Sequence, residues 1–179
     1  GDELYNYFLA VIFPHDEMQI MAYNRVVKDL NGLTEEQLLD SIKTNFIITS
    51  KPSLLEPPLQ YTYSMFLNER WYNLEAKAHI ISKDPVEGLG ASILQNYILN
   101  PILGIDDPRT DNRIDFVGGI RGLEELEYRC KIDSKVAFAL HPVSIEDLLA
   151  VADAKKVMPP KSTWFEPKLR SGLVVRLLD

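Results

Sequence analysis

The chain has 179 residues, 46% of them hydrophobic and 25% charged, and its formal net charge at pH 7 is −7. An acidic chain repels phosphate, which argues against nonspecific binding to nucleic acid or anionic lipid, and its one cysteine, Cys130, excludes an internal disulfide. Because no apolar run approaches the roughly 20 residues that span a bilayer, the sequence predicts a cytoplasmic protein without membrane partners, folded as one domain over residues 1–179.

The amino-terminal third predicts strands followed by a helix. Residues 5–13, YNYFLAVIF, are aromatic and branched, which is typical of a strand buried on both faces. The first half of residues 18–30 alternates like a second strand, so the two could form a hairpin. Thr34 and Gln37 form a capping box that opens a helix, and residues 46–49 follow as a short strand. Since the chain starts with Gly rather than Met, we expect a piece of a longer protein.

The middle of the chain carries its clearest β pattern. Residues 61–67 and 71–77 flank the sequence Asn-Glu-Arg, which is the spacing of a hairpin with a short loop. Asp84 and Pro85 can cap and start a helix, although Gly88 and Gly90 weaken its opening turns. The buried side of that helix is expected to contain Ile93, Leu94, Tyr97 and Ile98.

The last third alternates strands and helices. The pattern predicts strands over residues 114–117 and 136–140, helices over residues 122–129 and 144–153, and a final strand over residues 174–178. This order indicates crossover connections. We therefore predict an α+β fold (mixed α/β): β-hairpins followed by strand-helix-strand-helix crossovers, with helices packed on a mixed sheet.

The segment MPPKSTWFEPKLRSGL, residues 158–173, invites comparison with a phosphate-binding P-loop, because Lys161 and Ser162 stand at the right relative positions. The comparison fails, since Lys155 and Pro160 occupy the places where a P-loop needs glycine. Side chains rather than backbone amides would have to bind any phosphate here.

Those side chains include Trp164, whose ring could stack on a base, and the cations of Lys168 and Arg170. The alternative is a rigid, aromatic-anchored segment whose cations are solvated, and residue types alone favour that alternative.

A second cluster lies within residues 106–121. Carboxylates such as Asp107 and Asp111 can hold magnesium, and a Gly-Gly pair before a helix can receive phosphate. The spacing matches no EF-hand, and charge pairing with nearby arginines such as Arg109 and Arg113 is the simpler account.

Arg25 is a polar residue within an apolar alternation. If residues 23–28 are extended, Arg25 shares a face with Tyr23 and Val27, whereas Asn24 lies on the other face. Arg25 is then either paired internally or lines a cleft, and the sequence leaves both open. Cys130 lies between two basic residues that favour its thiolate, but no base for a nucleophile can be placed.

Four strings resemble one protein family: FPHDEMQIMAYNRVVKDLNGL, DPRTDNRIDFVGGIRGLEELE, VAFALHPVSIEDLLAVAD and MPPKSTWFEPKLRSGL. They resemble the carboxyl-terminal half of the domain-of-unknown-function family 1015, over almost the whole chain. The resemblance implies an amino-terminal half, absent from this chain, that is similar to ParB and sulfiredoxin-like proteins. That group includes nucleotide-using enzymes and a free serine kinase.

Three separated polar strings of one family are more easily explained by a shared cleft than by three solvated surfaces. We therefore predict a phosphate or anion site formed by Lys161, Ser162, Lys168, Arg170, Arg121 and Arg25. Trp164 would stack on a base, and Asp107 or Asp111 would help to hold magnesium brought with a nucleotide.

The whole protein would be a nucleotide- or phosphate-using enzyme, such as a kinase of a small serine-like metabolite, with its catalytic base in the missing half. The alternative is a structural or regulatory interaction domain that docks the amino-terminal half or a second subunit. A DNA-binding role is disfavoured by the net charge.

Overall fold

The computed structural model describes residues 3–12, 14–51, 57, 59–168, 172, 173 and 175. Over these residues the strands are β1 Gln19–Met21, β2 Tyr23–Val27, β3 Phe46–Lys51, β4 Thr62–Leu67, β5 Arg70–Ala76, β6 Ile114–Gly118, β7 Val136–Leu140 and β8 Trp164–Glu166. The helices are α1 Glu35–Lys43, α2 Gly90–Leu94, α3 Glu124–Ile132 and α4 Ile145–Asp153, and a π-helical turn, Gln95–Leu99, continues α2. None of the helices in this described part has the length and apolar character needed to cross a membrane.

Six strands form the central sheet in the order β3-β5-β4-β7-β2-β6. Each neighbouring pair is antiparallel. Because β2 lies between β6 and β7, those two strands run in the same direction, and α3 connects them as a crossover. The predicted α+β class, the hairpin, this crossover and the helices on a sheet are confirmed. The predicted mixed sheet would contain some parallel neighbouring strands. Here β6 and β7 run in the same direction but are separated by β2, so no two neighbouring strands of the described sheet are parallel.

Helices cover both faces of the sheet, so the alternating side chains of its strands enter two cores. On β2, Val27 belongs to the core that contains Leu38 of α1 and Ile93 of α2. Val26, its neighbour, belongs to the core that contains Leu126 of α3. The period of two along an extended strand therefore sends consecutive β2 residues into different surroundings.

Several local predictions are confirmed in detail. Thr34 Oγ1 accepts a hydrogen bond from the Gln37 amide at 3.2 Å, and Gln37 Oε1 accepts from the Thr34 amide at 2.9 Å, which is the capping box. The hairpin between β4 and β5 turns through two residues with positive φ, Asn68 at 46° and Glu69 at 58°. Positive φ at both central residues is the geometry of a type I′ turn, which matches the twist of the flanking strands.

The predicted strand over residues 5–13 is wrong. Leu4–Asn6 forms a 3₁₀ turn, residues 7–12 have no regular structure, and Phe13 lies outside the described residues. Apolar side chains in this stretch are exposed, Phe8 at 85% and Ile12 at 93%. The physical reason is that β propensity needs a partner strand, and β1 pairs with β8 instead.

Three other boundaries differ. The helix predicted from Asp84 begins at Gly90, because Asp84 Oδ1 accepts from the Val86 and Glu87 amides and closes a separate turn. Helix α3 begins at Glu124 rather than residue 122. Most of the strand predicted over residues 174–178 lies outside the described residues. Strand β8, three residues long, was not predicted.

Candidate functional site

A cleft of about 240 Å³ opens on the Arg25 face of the central sheet. Its floor is formed by Arg25 of β2 and Phe116 of β6, which are cross-strand partners. The walls are Val86, Glu87, Ala91, Ser92, Gln95, Asn96, Pro108, Val157, Pro159 and Pro160. We call this the Arg25 cleft.

The guanidinium of Arg25 is the buried cation of this cleft. Arg25 is 4% exposed, and its Nη2 donates to the Lys161 carbonyl at 3.3 Å while Nη1 donates to the Tyr23 carbonyl. Its carbon Cζ lies 5.5 Å from the centre of the Phe116 ring. Among the described residues no carboxylate forms an ion pair with Arg25, although a guanidinium has five N–H donors.

Burial changes the electrostatics of this arginine. Loss of hydration lowers the pKa of Arg25 from 12.5 to about 10, and this is the largest cause of the shift. Arg25 therefore stays charged at neutral pH while its charge is poorly solvated. A bound anion would supply the missing countercharge.

Glu87 is the acidic residue in the walls of the cleft. Its Oε2 accepts from Asn96 Nδ2 at 2.8 Å, which holds the carboxylate against the π-helical turn. Gln95 is similarly held, since its Nε2 donates to the Ile105 carbonyl at 2.8 Å. The polar wall is thus fixed by its own hydrogen bonds.

One wall of the cleft is formed by Val157 together with Pro159 and Pro160 of the segment at residues 158–173. Lys161 has a positive φ of 53°, and its carbonyl accepts from Arg25. Ser162 is buried, and its Oγ donates to the Pro159 carbonyl at 2.8 Å, which closes the turn. Ser162 therefore shapes the wall, with its hydroxyl hydrogen already donated.

Cations and rings alternate next to the cleft. Lys161 Nζ lies 5.4 Å from the centre of the Tyr23 ring, and the centres of the Tyr23 and Trp164 rings are 5.1 Å apart. Lys168 Nζ lies 3.1 Å from the centre of the Trp164 ring. Trp164 Nε1 also donates to Glu166 Oε1 at 2.7 Å. Because Tyr23 belongs to β2, its contacts with Lys161 and Trp164 anchor the segment at residues 158–173 to that strand. Trp164 packs over Gly118 and does not line the Arg25 cleft.

An ion pair joins two walls of the cleft. Lys156 Nζ contacts Asp84 Oδ2, so the segment before Val157 is tied to the turn that carries Val86. The hydrogen bond from Lys156, followed by those from the Val86 and Glu87 amides, lowers the pKa of Asp84 to about 2.

The structure does not place Arg121 in the cleft. Arg121 is exposed in the 3₁₀ turn Gly119–Arg121, and its Nη1 lies 3.5 Å from Glu125 Oε1. Arg170 lies outside the described residues. Lys161 and Lys168 belong to the segment at residues 158–173, and Arg25 of β2 contacts that segment through the Lys161 carbonyl. Of the predicted cations that the structure describes, Arg25 alone lines the cleft.

The predicted magnesium carboxylates each bind an arginine. Asp107 Oδ2 lies 2.8 Å from Arg109 Nη2, and Asp111 Oδ2 lies 2.8 Å from Arg113 Nη2. The hydrogen bond from Arg109 lowers the pKa of Asp107 to about 2. Within the described ranges no three His, Cys, Asp or Glu side chains cluster as a metal site requires.

Cys130 lies away from the cleft, against the α3 core. Burial, aided by Asp133, raises the pKa of the Cys130 thiol to about 12. Arg129, expected to favour the thiolate, instead pairs with Asp115 and Asp133. The thiol is therefore neutral at physiological pH.

Sequence reasoning missed the wall formed by α2 and the π-helical turn. Its residues, such as Ser92 and Gln95, looked like one helix with an ordinary apolar stripe. A π-helical turn leaves no clear mark in the sequence, although such turns are frequent at functional sites.

The fold is similar to that of solved kinase structures. For "Free serine kinase in complex with AMP" the TM-score is 0.51 at 10% identity, with 84% of this chain and 54% of the kinase chain covered. For a "Conserved hypothetical protein from Pyrococcus furiosus" the TM-score is 0.50 at 11% identity, with 83% of this chain and 56% of that chain covered. At such identities the likeness shows a shared fold alone. This chain spans just over half the length of each.

No curated protein matches the chain. The sequence profile of the family described as "Protein of unknown function (DUF1015)" matches residues 1–92, just over half of the 179 residues. The match contains β2 with Arg25 and ends before the strings at residues 107–121 and 158–172. The chain therefore belongs to the DUF1015 family.

Proposed function

We propose that this chain supplies a phosphate-binding cleft to a nucleotide-using enzyme, and that the enzyme is a kinase of a small, serine-like metabolite. The observation that carries the proposal is the Arg25 guanidinium, buried at the floor of a cleft without a carboxylate partner in the described part of the chain. A phosphate oxygen can accept from its remaining N–H groups, and a charge-assisted bond of this kind is strong in a dry site.

The surroundings of Arg25 support an anion as the ligand. Phe116, Val157 and the two prolines give the cleft apolar walls, which exclude water and strengthen a charge pair. Lys161 stands beside the floor on the Tyr23 ring and would be a second cation for a larger phosphate. AMP and ADP are the ligands of the free serine kinase structures that share this fold.

A complete site would need more than this chain. We infer that the 179 residues are the carboxyl-terminal part of a longer protein whose amino-terminal part resembles ParB and sulfiredoxin-like proteins. That part would supply the catalytic base. Magnesium would arrive with the nucleotide's phosphates, because Asp107 and Asp111 are engaged by arginines.

A thermal-shift titration of the 179-residue chain tests the cleft. AMP, ADP, ATP, phosphoserine, serine and sulfate would each be added with and without magnesium to the wild type, to Arg25→Met and to Arg70→Met, an exposed arginine that serves as the matched control. We expect one phosphorylated compound to raise the melting temperature of the wild type and the control but not of Arg25→Met. Equal shifts in Arg25→Met, or no shift with any phosphorylated compound, would overturn the proposal.

A second function, that of an interaction domain, is favoured by a different observation. Six large apolar side chains between Tyr5 and Ile12 are 44–93% exposed, which is unusual for a solvated segment. Such a segment could dock the amino-terminal part or a second copy. Sedimentation of the wild type and of a Phe8→Asp, Ile12→Asp double variant would decide whether it drives self-association.

A further inference from the structure

The opposite face of β2 carries a second pocket, of about 210 Å³. It lies on the Asn24 side of the strand, between β1, the Gly119 turn and the end of β7. Asn24 and Arg25 are consecutive, so the strand sends one into this pocket and the other into the Arg25 cleft. The two sites are therefore separated by the sheet itself.

Asn24 is the buried polar residue of this pocket, at 2% exposure. Its Oδ1 accepts from the Leu140 amide at 3.1 Å, which fixes the orientation of the side-chain amide. In the described part of the chain no group accepts a hydrogen bond from Asn24 Nδ2. Every fully enclosed side-chain nitrogen or oxygen there does have a partner. Asn24 Nδ2, which has no such partner, is therefore not fully enclosed, and the open space next to Asn24 is the pocket.

The walls of the pocket determine the chemistry of a ligand. Met21 and Leu123 provide apolar surface, and no charged side chain is among the described lining residues. An ionised ligand would lose its hydration and gain only an amide donor, so it would bind poorly. An uncharged molecule with an oxygen acceptor would satisfy Nδ2 and bury its apolar part.

We propose that this pocket binds a small, uncharged molecule that presents a carbonyl oxygen to Asn24 Nδ2 and an apolar group to Met21 and Leu123. Its volume lies below the roughly 300–1,000 Å³ of pockets for drug-sized ligands, so the ligand has the size of a small metabolite. This site has a different ligand chemistry from the Arg25 cleft and does not depend on the proposed kinase activity.

Benzamide is a suitable probe, because it combines a neutral carbonyl with an apolar ring. Two-dimensional ¹H–¹⁵N NMR of the 179-residue chain would follow the backbone amide of Gly119, which lines the pocket and remains in Asn24→Asp, and in the wild type also the Asn24 side-chain amide, during titration with benzamide, benzoate or toluene. We expect benzamide to shift these resonances in a saturable way with a dissociation constant of about 1 mM, as small fragments bind. We expect benzoate and toluene to bind at least about tenfold more weakly.

The variant Asn24→Asp keeps an oxygen acceptor for the Leu140 amide and replaces the Nδ2 donor by a second acceptor. We expect it to lose benzamide binding at least about tenfold, while the exposed control Asn112→Asp binds as the wild type does. Should Asn24→Asp fail to fold, the three probes on the wild type still decide the matter. No saturable shift with benzamide, equal binding of toluene, or undiminished binding by a folded Asn24→Asp would each overturn the proposal.

Discussion

The two faces of β2 each bury one polar side chain, and the two side chains are stabilised by different partners. On one face Arg25 brings a full charge into the interior, and two backbone carbonyls and an aromatic ring are its described partners. On the other face Asn24 is neutral, with its oxygen bonded to Leu140 and its nitrogen turned to a pocket. A buried charge is far more expensive than a buried amide, so Arg25 is the stronger indication of a ligand.

Gly118 and Gly119, at the end of β6, contact different faces of the sheet and can be substituted one at a time. We expect the largest effect on stability from a substitution at Gly118. A Cβ at Gly118 would stand 2.5 Å from the Trp164 ring. Gly118→Ala must displace that ring, and we expect a loss of about 2 kcal/mol in the free energy of unfolding, typical of overpacking. Urea denaturation would measure it. Because Trp164 anchors the wall of the Arg25 cleft, the anion-induced thermal shift should also fall.

Gly119 is the matched control on the other face. A Cβ there would meet the Ala22 carbonyl oxygen at 3.0 Å and Met21 Cβ at 3.3 Å, contacts that small shifts can relieve. We expect Gly119→Ala to lose less than about 1 kcal/mol, to weaken benzamide binding and to leave the anion response intact. If both substitutions weaken both responses equally, the faces are not independent.

The local fold was largely predictable because its determinants are local. The Thr34 capping box, the Asn68-Glu69 turn and the crossover through α3 each depend on residues close together in sequence. The pairing of β1 with β8 joins residues 19–21 to residues 164–166, and no short-range pattern indicates it. The same lack of a long-range signal explains residues 5–12, whose β propensity is strong but which form no strand in the described structure.

The candidate site was predicted only in part for a similar reason. The alternation around Arg25 predicted its face and left open a cleft or an internal partner. The walls of that cleft come from four separate segments, including Pro108 and the helix that ends in the π-helical turn, and their meeting depends on the tertiary fold. Arg121 carried the right charge within a family string, yet the turn after β6 directs it to Glu125.

A smaller effect on stability is expected from Arg25→Met, which would measure the free energy that burial of the Arg25 charge costs. The drop of the Arg25 pKa from 12.5 to about 10 corresponds to about 3 kcal/mol of lost stability at pH 7. Arg25→Met removes this penalty together with two carbonyl hydrogen bonds of about 1 kcal/mol each. We therefore expect the ligand-free variant to be more stable than the wild type by about 1 kcal/mol in urea denaturation at pH 7.

The pH dependence of that difference has a definite sign. Between pH 10 and 12.5 the unfolded state binds more protons at this position than the folded state, so the wild type gains stability as pH rises. The advantage of Arg25→Met should shrink above about pH 10. A variant destabilised at pH 7 would mean that the carbonyl contacts outweigh desolvation, and that Arg25 is a structural clamp.

The smallest expected effect concerns the ion pair between Lys156 and Asp84, which ties two walls of the Arg25 cleft together. The Asn24 pocket has no such pair among its described lining residues. Lowering of the Asp84 pKa to about 2 means that the ion pair stabilises the fold above the ordinary carboxyl pKa of 3.8 and is lost as pH falls through 2. In Lys156→Met the Asp84 titration, followed by carboxyl-carbon NMR, should move up toward 3.8 yet stay below it, because the Val86 and Glu87 amides still donate. Lys155→Met, a neighbouring exposed lysine, is the control and should leave the midpoint near 2. An unchanged midpoint in Lys156→Met would assign the low pKa to the backbone amides alone, and the two walls would then be held together by packing rather than by charge.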